Sequence, residues 1–162
     1  MVKVYIGLGS NLAEPVQQVK QALISLAKLP ETQLIKTSSL YRSRPLDGKA
    51  QPDYVNAVAV LRTTQPPLEL LDSLHTIEAQ QGRVRGNERW SSRTLDLDIL
   101  LYDSLVSDDP HLTLPHLGLR ERAFVLYPLA ECEPDLVLPD GTRLQLLLEQ
   151  CPMDGLHRMT NV

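Results

Sequence analysis

A chain of 162 residues with a net charge of −4 has room for one domain with a substantial core, and its acidity argues against the broad basic face that non-specific nucleic-acid binding needs. No apolar run approaches the roughly 18–20 residues of a membrane span, and the apolar start MVKVYIGLGS has strand length without signal-peptide architecture. Two cysteines, Cys132 and Cys151, have neither metal-ligand spacing nor a disulfide-framework count, so one domain over 1–162 in a reducing, cytoplasmic setting is expected.

The first strand is predicted over Val2 to Leu8, β-branched and apolar, running into GLGSN. That glycine pair can make a phosphate-cradling turn or an ordinary one; the third glycine of a dinucleotide fingerprint is missing, which favours the structural turn. Glu14–Pro15 opens a helix whose Val16, Val19, Leu23, Leu26 and Ala27 share one face, and Pro30 closes it. Gln33 to Arg42 reads as a second strand, and Ser43 to Asp53 (SRPLDGKAQPD) as an irregular loop broken by Pro45, Gly48 and Pro52.

In the third strand, YVNAVAVLR, alternation sets Tyr54, Asn56, Val58 and Val60 against Val55, Ala57, Ala59 and Leu61. Asn56 is an unusual residue in an apolar strand. Its amide can read a heterocycle edge with Tyr54 beside it, or satisfy a bulge backbone; the local pattern supports both. Pro66–Pro67 then introduces a second helix with a stripe of Leu70, Leu71, Leu74 and Ile77, ended by Gly82. His75 and Glu78, three apart, share a face there, either as a solvated pair or as groups reaching a ligand.

The stretch RVRGNERWSSRTLDLDILL, Arg83 to Leu101, concentrates the chemistry. Arg83, Arg85, Arg89 and Arg93 surround Trp90 in an irregular segment, and Asp96 and Asp98 alternate with Leu95, Leu97 and Ile99 in a strand. Two carboxylates on one strand face, roughly 6.5–7 Å apart at Cα, repel each other and need cations. Arginines can serve, as an ion-paired solvated face, or a pair of divalent ions of the kind used for displacement at phosphorus. The long irregular loop with its arginines and lone tryptophan favours a polyphosphate site, and the stretch from Arg83 to Arg93 is expected to be mobile when empty, a balance that a bound triphosphate changes.

The order strand–helix–strand–strand–helix–strand predicts an α+β, ferredoxin-like βαββαβ core: an antiparallel sheet with helices on one face and the opposite face free for a site. A C-terminal extension of short strands and helices follows. It contains the loop DSLVSDDP, then a second cationic cluster of His111, His116, Arg120 and Arg122 with Phe124. A short helix is predicted from Pro128, PDLVLPDG is turn-rich, and Leu144 to Glu149 forms a last amphipathic turn or two. Beyond Cys151 no pattern stands out.

Taken together, IGLGSNL, QPDYVNAV, EAQQGRVR, RWSSRTLDLDIL, LTLPH, RAFVLYPL and PDG, in this order, resemble the 6-hydroxymethyl-7,8-dihydropterin pyrophosphokinase family of folate biosynthesis. The resemblance spans nearly the whole chain. It implies that ATP donates pyrophosphate to a pterin alcohol with release of AMP, helped by two Mg²⁺ ions on Asp96 and Asp98. It further implies that Arg83 and Arg93 stabilise charge on the transferring group. Arg85, Thr113, His116, Arg122 and backbone near Ile99 would bind ATP, bordered by Glu78. Tyr54 and Phe124 would sandwich the pterin, Asn56 would read its edge, and Ser43, Leu46 and Trp90 would complete the pocket.

Departures from the family pattern fall at Ser91, Gly86, His75, His111, Arg44 and Leu117, none of them in the aspartate pair. The expected partners are small-molecule substrates alone, without nucleic acid or membrane, and the expected state is a monomer. A ferredoxin-like RNA-binding module would need more strand aromatics than a 4% aromatic chain offers. A regulatory ligand-binding domain would not need an aspartate pair beside four arginines.

Overall fold

A computed structural model describes residues 1–44, 52–82, 94–153 and 155–160. The first half of the fold runs β1 (Val2–Ser10), α1 (Pro15–Ala27), β2 (Thr32–Thr37), β3 (Tyr41–Ser43), β4 (Tyr54–Thr63), α2 (Pro67–Gln80) and β5 (Asp96–Tyr102). The strands form one sheet in the order β5–β1–β4–β3, with β2 also paired to β4, and every pairing is antiparallel. This is the expected ferredoxin-like arrangement.

Prolines fix φ at the starts of α1 and α2, where the missing N–H costs nothing. Val19, Ala22 and Leu26 of α1 and Leu70, Leu74 and Ile77 of α2 are buried at helical spacing. They pack on Val4, Ile6 and Leu8 of β1, Val55 to Leu61 (alternate residues) of β4, and Leu97 and Ile99 of β5. Each fully buried leucine or isoleucine there contributes about 1.5–3 kcal/mol of burial. No helix among the described residues is long and apolar enough to cross a membrane.

The second half adds β6 (Ser107–Asp109) and β7 (Leu112–Leu114), which form a separate hairpin, then α3 (Ala123–Cys132), α4 (Leu144–Glu149) and β8 (His157–Arg158), which pairs with β3. Four expectations change here. The second strand is not continuous. Tyr41 pairs with Asn56 and Thr37 with Ala59, so four steps on one strand face three on the other. Ser38 absorbs the extra residue, donating its N–H to the Val58 carbonyl (2.8 Å) while its hydroxyl accepts the Val58 N–H (2.9 Å).

The glycine pair is not in a turn. β1 continues through Ser10, and Gly7 and Gly9 pair with both neighbouring strands. The C-terminal helix starts at Ala123, not Pro128, which lies inside it. The sheet face opposite α1 and α2 is only half free. Val125, Leu126 and Leu129 of α3 and Leu144 and Leu147 of α4 cover one end, against Tyr5, Val58 and Val60.

A bulge makes that second core possible. Tyr5 faces Leu101 but Ile6 faces Ile99, so Leu100 is the extra residue in β5. Leu100 and Leu101 consequently both join the α3 side. Strict alternation would have sent Leu101 to the α1–α2 side.

Candidate active site

The uncovered end of that sheet face holds the site, and strand register builds it. Asp96 lies opposite Gly9, and Gly9 opposite Asn56; Asp98 lies opposite Gly7, and Gly7 opposite Val58. The glycines leave the strip between the carboxylates and β4 without side chains. A Cβ on Gly9 would stand 3.3 Å from Asn56 Oδ1, and one on Gly7 3.3 Å from Leu100 Cδ2. Above this floor is a cavity of about 500 Å³.

One wall carries the aromatic and amide groups. Tyr54 and Asn56 come from β4, Phe124 from the first turn of α3, and all line the cavity. Asn56 is 4% exposed, and its Nδ2 donates to Ser43 Oγ at 2.6 Å, which fixes the amide's orientation. Ser43 is held in turn by β3, a strand clamped between β4 and β8.

The other wall passes the outer edge of β5 to the β6–β7 hairpin and α2, bringing Thr113, His116, Leu71 and His75 to the cavity. His116 N–H donates to the Leu100 carbonyl, so the segment after β7 rides on β5. His116 Nδ1 accepts the Gly118 N–H at 3.1 Å, and its Nε2 stands 3.7 Å from Asp98 Oδ1. Arg122, at the start of α3, also faces the cavity, with its guanidinium carbon 5.8 Å from the centroid of the Phe124 ring.

Of the residues expected from sequence, Ser43, Tyr54, Asn56, Asp96, Asp98, Ile99, Thr113, His116, Arg122 and Phe124 line this one cavity. Ile99 is 2% exposed with its side chain in the α1–α2 core, so its contribution is backbone. Glu78 differs: it is 1% exposed and is not among the described lining residues. Its Oε2 accepts the Leu97 N–H at 2.8 Å, binding α2 to the strand between the two aspartates. Leu46, Arg83, Arg85, Trp90 and Arg93 lie outside the described residues, as does the arginine loop to which four of them belong.

Sequence reasoning missed Gly7 and Gly9 as the floor, although their two-residue spacing matches that of the aspartates they face. Arg44, noted in the sequence only as a departure from the family pattern, and Leu71, expected in the buried stripe of α2, also line the cavity.

The donors suit Mg²⁺. Asp96 and Asp98 are hard oxygen ligands, partly exposed on a rigid strand, beside the side-chain-free strip that the glycines leave. Among the described residues no group of three or more His, Cys, Asp or Glu could hold a metal alone. One or two carboxylates completed by phosphate oxygens and water is the ordinary way proteins hold Mg²⁺.

The family model described as 7,8-dihydro-6-hydroxymethylpterin-pyrophosphokinase (HPPK) matches residues 5–134. A 2-amino-4-hydroxy-6-hydroxymethyldihydropteridine pyrophosphokinase of Pseudomonas aeruginosa is 54% identical over 157 residues, covering 97% of this chain and 96% of that one. One from Haemophilus influenzae is 50% identical over 150 residues, covering 93% of each. Among solved structures, wild-type Plasmodium falciparum HPPK-DHPS with pteroate superposes with a TM-score of 0.72 at 14% identity, a likeness of fold. The match covers 92% of this chain but 42% of that one, so the chain spans less than half of that structure.

Proposed function

The chain belongs to the 7,8-dihydro-6-hydroxymethylpterin-pyrophosphokinase family, and from that premise we propose which of its residues carry the reaction and how. The enzyme transfers pyrophosphate from ATP to the hydroxymethyl group of 6-hydroxymethyl-7,8-dihydropterin, releasing AMP, in folate biosynthesis. One observation carries the residue assignment: Asp96, Gly9 and Asn56 stand in a row across three adjacent strands. Two strand spacings separate the carboxylate from the amide, roughly 10 Å at Cα. A heterocycle with its edge on Asn56 thereby directs a short hydroxymethyl arm toward the aspartates.

On this reading Asn56, oriented by Ser43, bonds the pterin edge, and Tyr54 and Phe124 bracket its ring, with Leu46 and Trp90 completing the slot. Thr113, His116, Arg122, Arg85 and the Ile99 backbone bind the nucleotide. Arg83 and Arg93 neutralise charge on the transferring group through forked guanidinium–phosphate hydrogen bonds. Glu78 acts from behind, by holding the strand that carries both aspartates.

Asp96 and Asp98 are the residues that would hold two Mg²⁺ ions, which would supply charge neutralisation and make the attacking hydroxyl more acidic. The hydroxymethyl oxygen attacks the β-phosphorus in line, the bond from that phosphorus to the bridging α–β oxygen breaks, AMP departs, and the hydroxyl proton passes to solvent water. Such chemistry asks the protein mainly for positioning and electrostatics. We further propose that the chain works as one domain over 1–162 and as a monomer; every group assigned to the site belongs to the chain itself, so the reading calls for no residue from a second copy. Its free thiols, Cys132 and Cys151, suit a reducing cytoplasm.

The test is to incubate ATP and the pterin alcohol with the protein and Mg²⁺, then separate the nucleotides. AMP appearing in step with pterin diphosphate, and its loss on chelation with recovery on adding Mg²⁺, is the expected result. ADP as product, or turnover untouched by chelator, overturns the mechanism.

A further inference from the structure

We propose that Gly118 is a positioning residue for the reaction, because its missing side chain makes the place in which the Arg122 side chain lies. An ideal Cβ on Gly118 would fall 2.3 Å from Arg122 Nε, 2.4 Å from Cζ and 2.8 Å from Cδ. No real Cβ tolerates such contacts, so an alanine there and this position of Arg122 exclude each other. On its other side the guanidinium lies over the Phe124 ring. Arg122 is thus confined between a buried glycine backbone and the aromatic wall of the cavity.

Conformation gives Gly118 no other reason to be glycine. Its φ is outside the left-handed region occupied by Gly82, Gly141 and Gly155, so an L-residue fits its backbone. Nor can the backbone withdraw easily. The Gly118 N–H is held by His116 Nδ1, the Gly118 carbonyl accepts the Glu121 N–H, and Leu119 N–H donates to the His116 carbonyl. The flexible arginine, not the main chain, is what must move. The N–H bond to His116 survives a change to alanine, so the substitution separates Arg122 from its neighbour His116.

This inference rests on the reading that Arg122 serves the nucleotide. The test is a double-mutant cycle of Gly118→Ala and Arg122→Ala with two readouts. The first is turnover. Gly118→Ala alone should lower kcat/KM by about tenfold or more, yet change it less than about twofold in the Arg122→Ala background.

The second readout uses Phe124, the chain's single phenylalanine. Labelling with 4-fluorophenylalanine gives one ¹⁹F resonance, and Gly118→Ala should move it toward its position in Arg122→Ala. Any fall in Tm caused by Gly118→Ala should disappear in the double variant, where no side chain is left to clash; this keeps the test decisive even for a poorly stable single variant. Equal losses of turnover in both backgrounds, or a ¹⁹F signal that Arg122→Ala moves and Gly118→Ala does not, would overturn the proposal. An Arg122→Ala variant with a shifted ¹⁹F signal but undiminished turnover would overturn the nucleotide role of Arg122, leaving Gly118 a packing residue only.

Discussion

His116 Nε2 stands 3.7 Å from Asp98 Oδ1, while the opposite ring nitrogen, Nδ1, accepts the Gly118 N–H at 3.1 Å. A neutral imidazole has one donor and one acceptor nitrogen, so an occupied Nδ1 acceptor leaves the proton on Nε2. That N–H enters the cavity beside the carboxylate pair. A hydrogen bond to a charged phosphate contributes about 1.5–3 kcal/mol. His116→Phe keeps a ring but removes the Nε2 donor together with the Nδ1 acceptor of the Gly118 N–H, and should weaken binding of a non-hydrolysable ATP by roughly ten- to a hundredfold or more. Unchanged affinity in a calorimetric titration would exclude the contact.

Asp96→Asn and Asp98→Asn are nearly isosteric on partly exposed positions, so each variant should keep the fold and its Tm. Each should lose roughly 10²-fold or more in turnover, through lost charge on the transferring phosphates. AMP release near the unaltered rate in both variants refutes the metal assignment.

Gly9 and Asn56 test the pterin slot from two sides. Asn56→Ala leaves ring polar groups without partners, a cost of about 1–3 kcal/mol in pterin binding. Gly9→Ala keeps the amide but presses a Cβ against its Oδ1, which stands 3.3 Å away. Both should weaken a pterin analogue, measured with non-hydrolysable ATP present, and leave binding of the nucleotide alone nearly constant. Parallel losses for both ligands would point to general damage instead.

Glu78 should matter for stability first. Glu78→Ala removes the acceptor of the buried Leu97 N–H, an expected loss of about 1–3 kcal/mol in denaturant unfolding. Glu78→Gln keeps an acceptor and should lose less. Equal stability of Glu78→Ala and the unaltered protein would contradict this assignment.

Glu131 makes stability depend on acid. Burial works to raise its carboxyl, but hydrogen bonds from Tyr41 and Ser39 and the nearby Arg158 charge outweigh that and hold it below the usual range. A depressed folded-state pKa means stability that is fully present above the unfolded value, about 4.3, and lost as pH falls through the lower folded one. The Tm difference between the unaltered protein and Glu131→Gln should therefore be present at about pH 7 and shrink below about pH 4. A difference constant over that range would show that the carboxylate charge is not involved.

Local spacing alone determined much of this protein. The period of two in TLDLDIL and YVNAVAVL placed Asp96 with Asp98 and Tyr54 with Asn56, and helical spacing in α1 and α2 yielded the strand–helix order and hence the ferredoxin-like sheet. Those patterns are readable because each apolar face must be buried, and only one periodicity buries it. What only the tertiary structure decided is where faces meet. The row Asp96–Gly9–Asn56 depends on register between strands far apart in sequence, which turned GLGSN from an expected turn into the floor of the site. The Leu100 bulge and the Ser38 insertion each break period two for the sake of long-range fit, so no local window shows them. Glu78 illustrates the same limit, since its spacing to His75 suited a ligand as well as a core contact. Only the position of the Leu97 N–H, nineteen residues away in sequence, decided that its carboxylate is buried behind the strand.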